Sequence, residues 1–275
     1  MDAKEETIDS TKGAKIFVRS WQPDGPPKAV VVLCPGFNSH SGRYIWPAEQ
    51  LVKQGYAVCA VDLRGRGKSS GERFYVEDIA EYVADVTAAV KLAKAKNAGL
   101  KVFLLGHSAG GVVSAVYTVD NQAELAGFIC ESFAFQVPAP GIVISAMKGL
   151  SHLAPHLPVL KLKNSDFSRD PQAVEAMNND PLIANETQPT ATIAALARAD
   201  EKLMGDFPKI TIPVLILHGT MDKATVPAGS QFFFDHTGSM DKTLKLYDGH
   251  FHDLLADIGK VGVMGDITGW LDKHV

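Results

Sequence analysis

A serine hydroxyl becomes a nucleophile at neutral pH only when a base takes its proton, and one serine of this chain stands where such chemistry can be assembled. The stretch VFLLGHSAGGVV, Val102 to Val113, spaces Gly106, Ser108 and Gly110 as G-x-S-x-G. The pattern alone is common. Here an apolar strand-like run leads into it and a helix-like run leaves it, which is the context of a sharp strand-to-helix turn with the serine at its apex. Gly106 and Gly110 must then be small, because a side chain two residues from the apex would collide with the turn. The N–H of Ala109 opens the helix and faces the site, where developing negative charge is stabilised. His107, beside the serine, reads as support for the turn. The competing reading of the whole motif is an ordinary tight turn.

The base and its orienting acid must come from the ends of later strands. LILHGTMDKATVP offers Asp222, and LYDGHFHDLLAD offers His250 and His252. Spacing does not separate the two histidines. Leu254 and Leu255 predict a packed helical turn just after His252, which would hold it well, whereas His250 follows Gly249 in a looser loop. Glu131 also ends an apolar strand and rivals Asp222 as the acid, but the Asp222 loop directly precedes the histidine strand. His218 ends a strand and reads as a local packing or hydrogen-bonding residue. A second oxyanion donor fits the loop in AVVVLCPGFNSHSGRY, where Gly36 lets the backbone turn and the Phe37 N–H faces the site. An ordinary Pro-Gly turn is the alternative there.

A different chemistry is suggested by AVDLRGRGKSSGER, where Gly67-Lys68-Ser69 resembles the end of a phosphate-binding G-x-x-x-x-G-K-[ST] loop. The first glycine of that pattern would fall at position 62, which is Asp62, and a carboxylate there repels phosphate.

The elements that must position these residues follow from the patterning. Strands are predicted over Lys15–Trp21, Ala29–Cys34, Ala57–Asp62, Lys101–Gly106, Gly127–Glu131, Pro213–His218 and Thr243–Asp248. Helices are predicted over Tyr44–Gln54, Val76–Lys96, Ala109–Val119, Ala228–His236 and Ile258–His274. Runs such as VVVLC are apolar on both faces, which suits a parallel sheet covered on both sides. Their alternation with helices predicts an α/β, doubly wound fold. From about 137 to 208 no strand is legible, and the segment reads as a helical insertion covering the site. The domain reading is therefore a core over 1–136, a cap over 137–208 and the rest of the core over 209–275.

Composition narrows the setting. The chain has 275 residues, 46% of them hydrophobic, and a net charge of −4 without a basic block, which argues against nucleic acid as a partner. The polar, acidic N-terminus lacks the features of a signal peptide, and no apolar stretch is long enough to span a bilayer. Cys34, Cys59 and Cys130 sit in apolar runs without metal-ligand spacing and read as small core residues, in keeping with a reducing cytoplasm. Neither a metal nor an organic cofactor is called for.

With these residues in place the chain resembles the monoacylglycerol lipase and lysophospholipase group of serine hydrolases, within the α/β-hydrolase fold, from about Ala14 to Leu271. That group carries His-Gly-x-x-x-His-Ser-x-Arg-Tyr after an early strand, and Pro35 to Tyr44 matches all but the opening histidine. Gly-His-Ser-x-Gly is complete at Gly106 to Gly110, and FSRDPQAVEAMNNDPL, Phe167 to Leu182, looks like the group's cap segment. The resemblance places the catalytic histidine on His252 and the triad on Ser108, Asp222 and His252. It also recasts the glycine-rich loop as the group's Asp-x-Arg-Gly-His-Gly-x-Ser-x-Gly turn, in which Arg66 replaces the usual histidine and Lys68 falls at a variable position.

The expected reaction is two-step ester hydrolysis through an acyl-enzyme, with the Phe37 and Ala109 N–H groups as oxyanion donors and a rate that rises as the pH climbs through about 6 to 7, where histidine loses its proton. Ile142, Val143, Ile144, Met147, Leu150, Leu153, Leu157, Val159 and Leu160 crowd the insertion and point to a lipid-like or medium-chain acyl group, or else pack the cap. Some of this surface could touch a membrane transiently. A carboxylesterase on small or aromatic esters, a lysophospholipase or a thioesterase would share the chemistry. Outside enzymes, the alternative is a ligand-binding protein on the same fold.

Overall fold

The computed structural model describes residues 2–135 and 148–275. Eight strands form one sheet in the order β1-β2-β4-β3-β5-β6-β9-β10. They are β1 (Lys4–Asp9), β2 (Lys15–Trp21), β3 (Val30–Cys34), β4 (Ala57–Val61), β5 (Val102–His107), β6 (Gly127–Glu131), β9 (Val214–Gly219) and β10 (Lys242–Tyr247). The pairs β1·β2 and β2·β4 are antiparallel and the others parallel. A short antiparallel pair, β7 (Pro158–Leu160) with β8 (Gln188–Pro189), stands apart from it. This is the α/β-hydrolase architecture read from the alternation of elements.

The double-sided apolar runs have their reason in two cores. In β5, Val102 and Leu104 face one core while Phe103 and Leu105 face the other. The first core is roofed by α2 (Ile79–Lys96) and α3 (Ala109–Asn121), and the second by α1 (Ile45–Lys53) and α7 (Lys260–His274). Each fully buried Val, Leu, Ile or Phe stabilises by roughly 1.5–3 kcal/mol relative to exposure, so this central sheet is a stiff platform. Helix α2 starts sharply because Asp78 and Glu81 form a capping box.

Three elements differ from the sequence expectations. Strand β1 was hidden because KEETID alternates between exposed and half-buried charged or polar residues, a pattern suited to an edge strand. The segment read as strandless carries β7 and β8, too short to leave a periodicity. Leu254 and Leu255 are buried in the second core, but they lie in a turn, and helix α7 begins only at Lys260 after Gly259 in the left-handed region.

The segment after β6 also contains helical residues 148–153, α4 (Pro171–Asn178) and α5 (Thr190–Asp206). Helix α5 sends Ala195, Ala199 and Leu203 into the first core. Before it, among the described residues, Phe167, Met177 and Ile183 form a small separate cluster with Leu162 packed against it. Ile142, Val143, Ile144 and Met147 lie outside the described residues. Of the rest of that apolar set, Leu153 is 86% exposed and Leu157 and Leu160 are also exposed, so these three do not pack the segment against the sheet. No helix of the described residues is long and apolar enough to cross a membrane.

Candidate active site

The turn from β5 into α3 is as tight as its glycines predict. Ser108 holds φ 56° and ψ −123°, a conformation L-residues rarely adopt. A Cβ on Gly110 would lie 2.2 Å from the Cys34 carbonyl oxygen, and one on Gly106 would lie 2.6 Å from that of Gly110. The strained residue is pinned on its N-terminal side, where the Ser108 N–H donates to the Glu131 carbonyl at 2.9 Å. The early loop presses on the same apex: a Cβ on Gly36 would fall 2.8 Å from the Ser108 Cβ and 3.2 Å from the Ala109 nitrogen. Phe37 follows at once and is buried.

The structure brings Asp222 and His252 together. The Asp222 Oδ2 atom lies 2.7 Å from the His252 Nδ1, and both side chains are fully buried. The carboxylate also accepts hydrogen bonds from the Ala224 and Thr225 N–H groups and the Thr225 hydroxyl. Burial pushes the Asp222 pKa up, but the His252 charge and hydrogen bonds from His218 and His252 outweigh it and hold the group well below the ordinary carboxylate range. Asp222 is thereby kept ionised. His252 Nε2 is buried and has no hydrogen-bond partner among the described residues. Its ring stands 4.9 Å from the ring of His107, the neighbour of Ser108 in the chain. A neutral imidazole with its Nδ1 proton held by Asp222 would therefore present an unoccupied lone pair beside the serine turn.

The rival residues have other occupations. His250 accepts the Met221 N–H through its carbonyl, and its ring Nδ1 meets the Asp248 carbonyl at 3.1 Å instead of the acid. Glu131 is fully buried, and its Oε1 accepts the Leu255 N–H at 3.2 Å. It ties the end of β6 to the histidine loop instead of orienting the imidazole. Burial drives its pKa well above the ordinary range, and the Asp253 charge adds to this. His107 bonds Tyr44 through Nδ1 at 3.0 Å, and burial lowers its pKa to about 4, so it is neutral at pH 7. His107, Glu131 and Asp253 bring one potential ligand atom each within 4.8 Å of one another.

Phe167 and Asp257 escape sequence reasoning, whereas His218, read as a local packing or hydrogen-bonding residue, bonds the acid itself. His218 Nε2–H donates to the Asp222 carboxylate at 3.0 Å, and its Nδ1 meets the Ser230 hydroxyl at 2.7 Å, gripping the acid from behind. The i, i+4 spacing of His218 and Asp222 was the available signal. Phe167 packs edge-on against His252 with ring centroids 4.9 Å apart, and its carbonyl accepts the Asp253 N–H at 2.7 Å. Asp257 accepts from the Phe251 and Arg169 N–H groups and from the Arg169 side chain, stitching the histidine loop to the segment before α4. The last two contacts join stretches more than 80 residues apart and leave no local pattern.

The glycine-rich loop holds no phosphate cradle. Asp62 accepts the Lys68 N–H at 2.8 Å, and the Gly65, Arg66 and Ser69 N–H groups are spent on backbone carbonyls of Ser70, Leu63 and Arg66.

Comparison with known proteins bears on the family and the fold. Residues 25–259 match the family Hydrolase_4, described as "Serine aminopeptidase, S33". The chain is 31% identical over 273 residues to a monoacylglycerol lipase of Mycolicibacterium smegmatis, covering 98% of each chain. It is 33% identical over 267 residues to a human monoglyceride lipase, covering 95% of this chain and 88% of that one. Among solved structures, a Paleococcus ferrophilus monoacylglycerol lipase superimposes with a TM-score of 0.84 at 27% identity over the full length of both chains.

Proposed function

The chain belongs to the Hydrolase_4 family of serine hydrolases, and from that premise we propose that it hydrolyses monoacylglycerol-like lipid esters through Ser108, His252 and Asp222. The observation that carries the assignment of residues is the buried His252, bonded to Asp222 through Nδ1 and open at Nε2.

The reaction follows from those groups. Ser108 Oγ attacks the ester carbonyl as His252 Nε2 takes its proton. The carbonyl oxygen becomes an oxyanion and is held by the Phe37 and Ala109 N–H groups. Collapse breaks the bond to the alcohol, which leaves with the proton from His252. Water then attacks the acyl-enzyme, giving His252 its proton, and the fatty acid leaves as Ser108 Oγ recovers it. Ionised Asp222 stabilises the imidazolium in both steps, and His218 and Thr225 hold Asp222.

The segment over 137–208 is read as a cap that shelters the acyl chain. Leu153, Leu157 and Leu160 give it an exposed apolar edge suited to transient contact with a lipid surface. A cytoplasmic location is in keeping with three free, buried cysteines.

The test is one panel for wild type and Ser108→Ala: p-nitrophenyl esters from acetyl to palmitoyl, a monoacylglycerol and a lysophospholipid. Wild type should cleave monoacylglycerol, and the variant should lose at least about a thousandfold in kcat. Acetyl esters turned over far better than octanoyl or longer ones would overturn the lipid reading, and an active Ser108→Ala would overturn the mechanism.

A further inference from the structure

Arg66 stands where related chains were expected to carry a histidine, and the structure gives it an unusual setting. Its side chain is 2% exposed and its partner Glu186 is 1% exposed, so the two form an ion pair sealed from water. Its other two nitrogens are also bonded: Nη2 to Gln188 Oε1 at 2.7 Å and Nε to the Tyr82 hydroxyl at 3.2 Å. The guanidinium lies over the Phe37 ring, 4.2 Å from its centroid. Glu186 Oε1, besides meeting Arg66, accepts the backbone N–H of Asn38 at 2.9 Å. Asn38 has φ 50°, in the left-handed region, and its side-chain amide donates to Asn164 at 2.9 Å. Asn38 is thus held through both its backbone N–H and its side chain by residues more than 120 positions later in the chain.

A burial of this kind is costly unless every donor and acceptor is satisfied, and here the satisfaction passes through the loop that touches the Ser108 turn. We propose that Arg66 and Glu186 are positioning residues that set the oxyanion loop, so that the Phe37 N–H is in register with Ala109 only while the segment carrying Glu186 and Gln188 is docked. This deepens the reading of Phe37 and Ala109 as oxyanion donors and rests on it. An oxyanion donor acts through its aim, and the loss of one such bond commonly costs about a hundredfold to a thousandfold in kcat. A loop that keeps its donor but loses its aim should cost about tenfold or more.

The experiment compares wild type with Glu186→Gln, Arg66→Gln, the double variant and Arg66→Lys. The active serines of each preparation are first titrated with a fluorophosphonate, and kcat and KM for p-nitrophenyl butyrate are then expressed per titrated serine. That normalisation removes any loss due to unfolded molecules, which a purely structural role would produce. Each single Gln variant should lose at least tenfold in kcat per serine with KM changed less than threefold. The double variant should be no worse than the poorer single one, because one device has been broken twice. Arg66→Lys keeps the charge and should recover part of the rate. Single variants within threefold of wild type per titrated serine would overturn the proposal, whatever their thermal midpoints. Should Glu186→Gln not fold, Arg66→Gln and Arg66→Lys carry the same decision. A wild type that does not label at Ser108 would instead overturn the hydrolase reading, and the proposal with it.

Discussion

Arg64 and Arg66 stand two residues apart in one loop and serve two different regions. Arg64 is clamped to Asp85 and Glu81 on α2, and it reaches Ser10 and Thr11 at the start of the chain, all within the sheet platform. Arg66 crosses to Glu186 and Gln188 in the segment that precedes α5. The same division runs through the whole site. From the platform side, strand ends hold Ser108, Asp222 and His218 by backbone turns and short hydrogen bonds. From the other side, Phe167, Arg169 and Glu186 lean onto His252, its loop and the oxyanion loop, drawing on a far smaller apolar cluster. A platform built on burial of whole strands fixes the reacting atoms. A segment with a small apolar cluster reaches them through single contacts, the Phe167 ring and the polar groups of Arg169 and Glu186.

The contrast can be broken from either side. Asp222→Asn strikes the platform's catalytic charge: the expected loss is about ten-thousandfold in kcat, measured on a short ester, with the fold intact. A loss under tenfold would remove Asp222 from its role. Arg64→Gln should leave Asp85 buried and underpaired and cost about 3–5 kcal/mol in denaturant unfolding. Its kcat per titrated serine should stay within threefold, the opposite of the Arg66 result.

Acid should attack the platform through His107. Burial lowers its folded pKa from 6.5 to about 4. Between those values the unfolded chain takes up a proton that the folded one refuses, so the stability present above pH 6.5 is lost as pH falls toward 4, by up to about 3 kcal/mol. His107→Gln should flatten that slope in unfolding curves taken between pH 7 and 4.5. Glu131 contributes the opposite sign: its folded pKa is raised, so it lowers stability as pH rises above the ordinary carboxylate range. Glu131→Gln should therefore gain stability at pH 8 relative to wild type. The smallest effect belongs to the far side. Phe167→Ala removes the ring that packs on His252 and should cost about tenfold in kcat per titrated serine. An unchanged rate would mean that the platform alone aims the imidazole.

The chain's own order of residues determined the platform. Apolar runs such as VVVLC and VFLLG fixed buried parallel strands, and G-x-S-x-G after such a run fixed a strained serine turn, because only small neighbours permit it. Asp222 and the pair His250 and His252 were visible as strand-end residues. Their spacing could not choose between the histidines, since both lie on one short loop, and the preference for His252 came from resemblance and from two buried leucines after it. Tertiary structure decided that Asp222 meets His252, through a loop anchored by Glu131, Asp257 and Phe167. It decided that His218 grips the acid and that Glu131, a rival on paper, is a buried brace. It also gave Arg66 its buried partners, Glu186 and Gln188. Strand and helix periodicities are local and are written in neighbouring residues. The contacts that Glu186, Asp257 and Glu131 make with Asn38, Arg169 and Leu255 join residues more than 80 positions apart, and their partners declare themselves only when the fold has brought them together.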